Sequence, residues 1–386
     1  MVERQGPLAS WATQPATRGG KKRILALDGG GVRGIVTVAF LERMEAALRA
    51  KTGNQSLTLG QHFDLIGGTS VGSILATMLA LGWSMEMVAR RFKAWTPEIF
   101  GRASGLGILG AKFKPHVLEA KLEETLGDMR LEDPRLVTRL VIVTKRLDTG
   151  SPWWIVTNIP TSPFWKGGTP DRQNATFRVA DLIRASTAAP TYFDPKLLPI
   201  APGQKKGTFV DGAMSPFNNP ALATVMVAHL KGHGLGWPLG ADNLQLVSVG
   251  TGSWREPMDH SGWSRLAGVF GGRSLLGTMR DSQVLQLMLL QWMSNARAPR
   301  LINGEIGTLE GEVLGVGPGP HPPLFQFQRY DLDLEAEKLA PFLGGKAPSQ
   351  RRVRRLRSLD DPSELETLYQ CASKAAETQV DSVDFS

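Results

Sequence analysis

The chain has 386 residues, 42% of them hydrophobic and 21% charged, enough apolar mass for one large core and too much for a disordered or fibrous protein. Lys plus Arg outnumber Asp plus Glu by 44 to 36, a formal charge of +8, which favours anionic partners (nucleic acid, nucleotide or an anionic membrane surface) without choosing among them. A single cysteine, Cys371, excludes an internal disulfide, and no segment reaches the ~18 to 20 apolar residues of a transmembrane helix, so a reducing, cytoplasmic setting with peripheral membrane contact at most is expected.

Residues 1–20 are polar, interrupted by Gly and Pro, and lack the apolar core of a secretory signal; they read as a flexible tail. "KRILALD" follows, an apolar run without polar alternation that predicts a buried parallel strand ending at Asp28. Gly29, Gly30 and Gly31 then break the run, and residues 35–53 have helical spacing and stop at a glycine. Such a junction presents unpaired N–H groups and the positive end of a helix dipole to whatever lies above it, so something anionic is expected there. "FDLIGG" and "SILATMLAL" repeat the pattern of strand, tight turn and helix, and two such units in succession imply a parallel sheet with helices packed on it.

Further strands are expected at 139–147 and 244–252, and amphipathic helices at 115–127 and 179–189. The interval 148–176, with Trp153, Trp154, Phe164 and Trp165 among Gly and Pro, reads as a long excursion over the sheet's edge. Beyond residue 255 the pattern loosens into a helical stretch near 280–295, a Gly/Pro-rich loop at 315–324 and terminal helices that carry the cationic run "RRVRRLR" at 351–357, read as a solvated helix face.

Gly29, Gly31 and Gly34 satisfy G-x-G-x-x-G, but the fingerprint of a dinucleotide site also wants an acidic strand end about 20 residues on, and residues 53–60 are loop-like instead. No Walker-type loop, H-E-x-x-H or paired C-x-x-C occurs, so neither a cofactor nor a metal is expected, and activity in the presence of chelator is. Gly68-Thr69-Ser70-Val71-Gly72 matches G-x-S-x-G, the turn that lifts a serine hydroxyl clear of the backbone between a strand and a helix. A serine hydroxyl needs a base for its proton and N–H donors for the resulting oxyanion. If strands 24–28 and 63–67 are neighbours, the loop at 29–31 can supply the donors. For the base, His62, His116, His229, His233, His260 and His321 sit in no recognisable catalytic setting, whereas Asp211 ends an apolar run and Gly212 opens a turn; Asp211 also reads as a plain turn residue.

Taken in order, Asp28-Gly-Gly-Gly-Val-Arg-Gly34, Gly68-Thr-Ser-Val-Gly72 and Asp211-Gly-Ala213 resemble the three signature blocks of the patatin-like phospholipases, and "RASTAAPTYF" (184–193) and "SVGTG" (248–252) resemble further stretches of that family. The resemblance implies a three-layer α/β fold, a mostly parallel sheet with helices on both faces. It implies a catalytic domain over 21–345, its signature core at 21–255 and a less regular extension at 256–345, followed by a helical segment at 346–386. It implies a Ser-Asp dyad with Ser70 as nucleophile and Asp211 as base, backbone amides of Gly29, Gly30 and Gly31 as oxyanion hole, and Arg33, Gly68, Gly72 and Gly212 in support, with Arg33, the family's arginine, either supporting the loop or meeting a lipid headgroup. The family's Asp-Gly-Gly is Asp211-Gly-Ala here. The implied activity is hydrolysis of the carboxylic esters of membrane phospholipids through an acyl-enzyme.

Membrane contact is expected from residues 82–95, with Trp83, Met85, Phe92 and Trp95, and from the aromatics at 153–165, unless these pack in the core. Some bacterial members of the family are antiphage effectors that cyclic nucleotides switch on by driving assembly, which makes a cyclic dinucleotide a candidate activator and a homo-oligomer a candidate assembly; no nucleic-acid polymer is expected as a partner. Two other readings stay open: a hydrolase with a Ser-His-Asp triad, and a nucleotide-binding protein that uses the glycines without catalysis.

Overall fold

The computed structural model describes residues 20–101, 112–113, 115–152, 154–166, 173–200, 206–255, 267–310, 312 and 322–381. The tail predicted for the N-terminus (save residue 20), Trp153, His260 and most of the Gly/Pro-rich loop at 315–324, His321 included, lie outside these residues.

Among the described residues nine strands form one sheet: β1 (Lys22–Leu27), β2 (Leu65–Thr69), β3 (Arg139–Arg146), β4 (Trp154–Thr157), β5 (Lys196–Pro199), β6 (Lys206–Asp211), β7 (Leu244–Val249), β8 (Asn295–Ala296) and β9 (Gln326–Tyr330). Across the sheet the order is β5-β6-β3-β2-β1-β7-β9-β8, with β4 also paired to β3. From β3 through β2, β1, β7 and β9 to β8 every pairing is parallel, while β4 and β6 run antiparallel to β3. The longer helices are α1 (Gly34–Thr52), α2 (Val71–Ala80), α3 (Met85–Phe100), α4 (Pro115–Leu126), α5 (Val179–Ser186), α6 (Ala221–His229), α7 (Ala267–Trp292), α8 (Gln350–Leu356) and α9 (Leu365–Gln379).

The central strands lack polar alternation because both their faces are covered. Leu25 and Leu27 of β1, with Ile142 and Val247, join the core formed by α1 to α5 and α9. Ile24 and Ala26, with Val141 and Leu246, join a second core with α6, Trp237 and Leu290 of α7. The architecture is the expected three-layer α/β fold, with a mostly parallel sheet and helices on both faces. α9 lies along α1, and its buried Leu368, Cys371, Ala372, Ala375 and Ala376 are mostly small enough to let the two helices approach closely.

Three expectations need correction. Residues 148–176 are not only an edge excursion, because Trp154–Thr157 forms β4, with the Trp154 ring 5.4 Å from that of Phe209. Met85, Phe92 and Trp95, expected at a membrane surface, are buried at 1%, 5% and 6% exposure, and Trp83 and Trp165 pack against the same core. The helical spacing is real, but the apolar face of α3 is turned onto α1 and α2. In the cationic run, Arg351 and Arg354 are exposed as read, while Arg352 and Arg355 pair with Glu364 and Arg357 turns inward to the cavity described below.

Candidate active site

Leu27 pairs with Gly68 at the carboxyl ends of β1 and β2, so the loops that follow both strands open on one edge of the sheet, the edge where α/β sheets bind ligands. The turn after β2 is held by close backbone approach. A Cβ on Gly68 would overlap the carbonyl oxygen of Gly72, and one on Gly72 would overlap that of Leu27. Between them Ser70 takes φ 54° and ψ −126°, a left-handed conformation that an L-residue adopts at a cost of about 1–3 kcal/mol. The turn is pinned from both sides: Ser70 N–H donates to Ser186 Oγ (2.8 Å), which itself donates to Val143 O (2.7 Å), and Ser73 N–H and Oγ both donate to Ser70 O.

The antiparallel β6 brings in the carboxylate. Val143 of β3 is paired with Thr69, and the next residue, Thr144, is paired with Asp211. Asp211 therefore stands two strands across and one residue along from the turn that carries Ser70. Ser70 Oγ donates to Asp211 Oδ2 at 2.6 Å, and Ala213 N–H donates to Asp211 Oδ1 at 2.8 Å. Asp211 is 2% exposed. Burial pushes its carboxyl up to about 7, against the hydrogen bonds from Ser70 and Ala213 N–H, which pull it down. Gly212 has no room for a Cβ against the carbonyl of Val143.

Above the pair lies the glycine loop, where a Cβ on Gly29 would stand 3.1 Å from that of Ser70. The three amides are not equivalent. Gly29 N–H is given to Asn218 O (3.1 Å), while those of Gly30 and Gly31 bond no acceptor among the described residues. The Gly29 carbonyl accepts from Thr251 Oγ1 (2.9 Å) and Asn218 Nδ2 (3.4 Å). Gly31 has φ 58°, and its neighbour Val32 donates its N–H to Leu359 O (2.9 Å). The loop leads into the N-terminus of α1, whose dipole favours negative charge at that end.

Residues that the sequence did not single out hold this loop. Arg329 of β9 grips Asp28 with both terminal nitrogens (2.9 and 2.7 Å) and also meets Asp331 (3.0 Å) and Ser248 Oγ (2.7 Å). Burial works against the Arg329 charge, and the two carboxylates overcome it and raise its pKa. Asp331 Oδ1 in turn accepts from Gly252 N–H (2.8 Å), and Gly252 O accepts from Arg33 Nη1 (3.2 Å). Arg33 is thereby tied through Gly252 and Asp331 to the Arg329 that holds Asp28. Only the apolar and charged alternation around 326–331 hinted at these partners, which lie some 300 residues from Asp28.

Ser70, Asp211 and the glycine loop open into one cavity of about 730 Å³, within the range of small-molecule sites. Ile74, Met78, Phe92, Trp95, Ile99 and Leu118 form an apolar wall. His62, packed edge-on against Phe63 with burial pushing its pKa down to about 3, does not line the cavity; neither do His116, His233 or His229, whose Nδ1 lies 2.9 Å from Trp237 O. Among the described residues no helix is long and apolar enough to cross a membrane.

Residues 25–225 match the sequence profile of the patatin-like phospholipases. The chain is 31% identical over 233 residues to Patatin-17 of Solanum cardiophyllum, covering 57% of this chain and 56% of that protein. It is 29% identical over 238 residues to a cUMP-AMP-activated phospholipase of Escherichia coli, covering 61% of this chain and 66% of the relative. Against the first of these relatives the chain thus spans little more than half of the length. Human GIVD cytosolic phospholipase A2 superposes with a TM-score of 0.44 at 12% identity, over 96% of this chain and 61% of that one.

Proposed function

The chain belongs to the patatin-like phospholipase family, and from that premise we propose that it is a lipid acyl hydrolase in which Ser70 is the nucleophile and Asp211 the general base. The observation that carries the reading is the buried 2.6 Å hydrogen bond from Ser70 Oγ to Asp211 Oδ2, in a cavity that no described histidine lines. As Ser70 Oγ attacks the ester carbonyl, its proton passes to Asp211 Oδ2. The oxyanion takes hydrogen bonds from the Gly30 and Gly31 amides and the field of α1. The same proton then leaves on the alcohol, and water repeats the sequence on the acyl-enzyme with Asp211 again as base.

An ordinary carboxylate is a weak base for a serine hydroxyl; one raised to about 7 by burial narrows the gap. The apolar wall suits an acyl chain, and the ester substrate is that of a phospholipid reached from the cytoplasmic side by peripheral contact. A cyclic dinucleotide that activates the chain, through a homo-oligomer, is the regulation we propose. Its support is the similarity to the cUMP-AMP-activated enzyme of E. coli.

The test is fatty acid release from mixed phospholipid vesicles, in EDTA, by wild type, Ser70→Ala and Asp211→Asn, each with and without cUMP-AMP and related cyclic dinucleotides. Wild type should release fatty acid, Ser70→Ala none above background, and Asp211→Asn at least about 10²-fold less. Near-normal rates in Asp211→Asn would put the base elsewhere. A rate unmoved by every cyclic dinucleotide would remove the gating, and binding of nucleotide without any hydrolysis would favour the non-catalytic reading.

A further inference from the structure

The aromatics of α3 that the sequence offered to a membrane are buried, and the exposed apolar surface lies elsewhere. Ten large apolar side chains are exposed among the described residues. Five of them come from one stretch: Val284 (43%), Leu285 (50%) and Trp292 (42%) of α7, with Leu301 (57%) and Ile306 (38%) of the loop that follows. That loop is folded back on α7, since Gln291 Nε2 donates to Arg300 O and Thr308 O (both 3.0 Å) and Gln291 Oε1 accepts from Arg300 N–H (2.8 Å). The exposed groups therefore stand together along the last turns of the helix.

The polarity of this stretch is inverted. In "VLQLMLLQW" (284–292) seven of nine residues are apolar, and no charged residue stands between Asp281 and Arg297. The two polar ones, Gln286 and Gln291, are 4% and 1% exposed and give their amides to backbone carbonyls, Gln286 to that of Pro216. A helix that meets water turns its polar residues outward; here the outward positions are the apolar ones. At about 100° per residue, Gln286 and Leu290 turn inward, Gln283 and Leu287 turn to the cavity of Ser70, and Val284, Leu285, Met288 and Trp292 share the arc that remains. Val284 stands at the border of two arcs, exposed and yet part of the cavity's lining.

We propose that this stripe is the surface by which the protein lies on a phospholipid bilayer, with Leu285, Trp292 and Leu301 at the boundary of headgroups and acyl chains and Val284 as the sill over which a lipid enters the cavity. The inference rests on the lipid hydrolase reading and gives its substrate a route. Continuity with the cavity argues for lipid as the occupant. A second protein chain laid on the stripe would cover Val284 at the rim, whereas a bilayer delivers to that rim the molecule the cavity takes, without its acyl chains crossing water. A stripe without charges enters the boundary at no cost in charge desolvation, and an indole at its end suits the headgroup level, apolar in body and polar at its N–H. α7 is not among helices long and apolar enough to cross a membrane, so the contact runs along the surface.

The test reads partition and turnover separately. Ser70→Ala protein is floated with phosphatidylcholine vesicles, with and without cyclic dinucleotide, and should bind in a manner that about 0.5 M salt changes less than twofold, because apolar contact is not screened. Adding Leu285→Gln with Trp292→Gln should weaken partition by about tenfold or more. Leu147→Gln with Leu197→Gln, which removes side chains just as exposed at 47% and 55%, should leave it unchanged. In the enzyme with Ser70 intact, the 285/292 pair should lower fatty acid release from vesicles and leave hydrolysis of soluble p-nitrophenyl butyrate as it was, which also shows that the fold is kept; Leu285→Gln with Leu301→Gln is the second variant if it is not. Cys371, the chain's one cysteine, is buried, so an environment-sensitive dye on Leu285→Cys reports that position alone. Its emission should shift to the blue on vesicles, and that of a dye on Leu197→Cys should not.

Partition that survives the 285/292 pair, or that salt abolishes, overturns the proposal. So does a dye at 285 that ignores vesicles and shifts instead as protein concentration rises, since the stripe would then be covered by a second copy of the chain. If wild type cleaves neither vesicle lipid nor the soluble ester, the hydrolase reading fails, while partition that depends on the stripe still decides the docking surface.

Discussion

The proposed role of Asp211 as base sets two opposed demands on it, since that role wants it ionised and its surroundings want it neutral. With the carboxyl raised to about 7, kcat/KM for a short-chain ester should climb tenfold per pH unit below that value and level off above it; a profile flat from pH 5 to 8 would show that another group carries the proton. The sign of the stability effect follows from the same shift. The folded state holds the Asp211 proton more tightly than the unfolded chain does, so wild type loses stability as pH rises from the ordinary carboxylate range to about 7. Asp211→Asn removes that loss. By calorimetry its thermal midpoint should exceed that of wild type at pH 8, with the difference closing toward pH 4; a variant no more stable at pH 8 would contradict the burial effect.

At the scale of elements, the site depends on β2 and α2 meeting β1 with no side chain between them. Gly72→Ala sets a Cβ against the carbonyl oxygen of Leu27, a collision of backbone with backbone that no rotamer relieves. The expected result is a cost of several kcal/mol, of order 3 or more, and loss of labelling of Ser70 by a fluorophosphonate; normal labelling would mean that the turn can re-form around the methyl. Much of this region was legible in the sequence. Apolar runs punctuated by glycine mark β1, β2, α1 and α2, and Asp211 stands out at the end of another such run. β4 was hidden because its four residues sit among Gly, Pro and Trp, and the three-residue turn pattern of α3 tells which side chains share a face, not whether that face meets lipid or the rest of the protein. Ser186, which accepts the Ser70 amide, lies 116 residues away in sequence, and no local spacing encodes such a contact.

At the scale of the whole molecule, the glycine loop is held from the far end of the chain. Arg329 reaches Asp28 across 301 residues, and Leu359 takes the amide of Val32. Arg329→Met would leave Asp28 and Asp331 buried without their counter-charge, at a cost of about 3–5 kcal/mol, and kcat should fall further than KM rises because the loop, not the substrate, loses its support. Arg329→Lys should recover stability in part. A methionine variant of wild-type stability and rate would show that the pair is dispensable. This far-end bracing also bears on how the protein is made. A ribosome makes Ser70 and Asp211 more than 100 residues before Arg329 and Leu359, so a nascent chain carries the Ser70–Asp211 pair before it carries what braces the glycine loop above that pair.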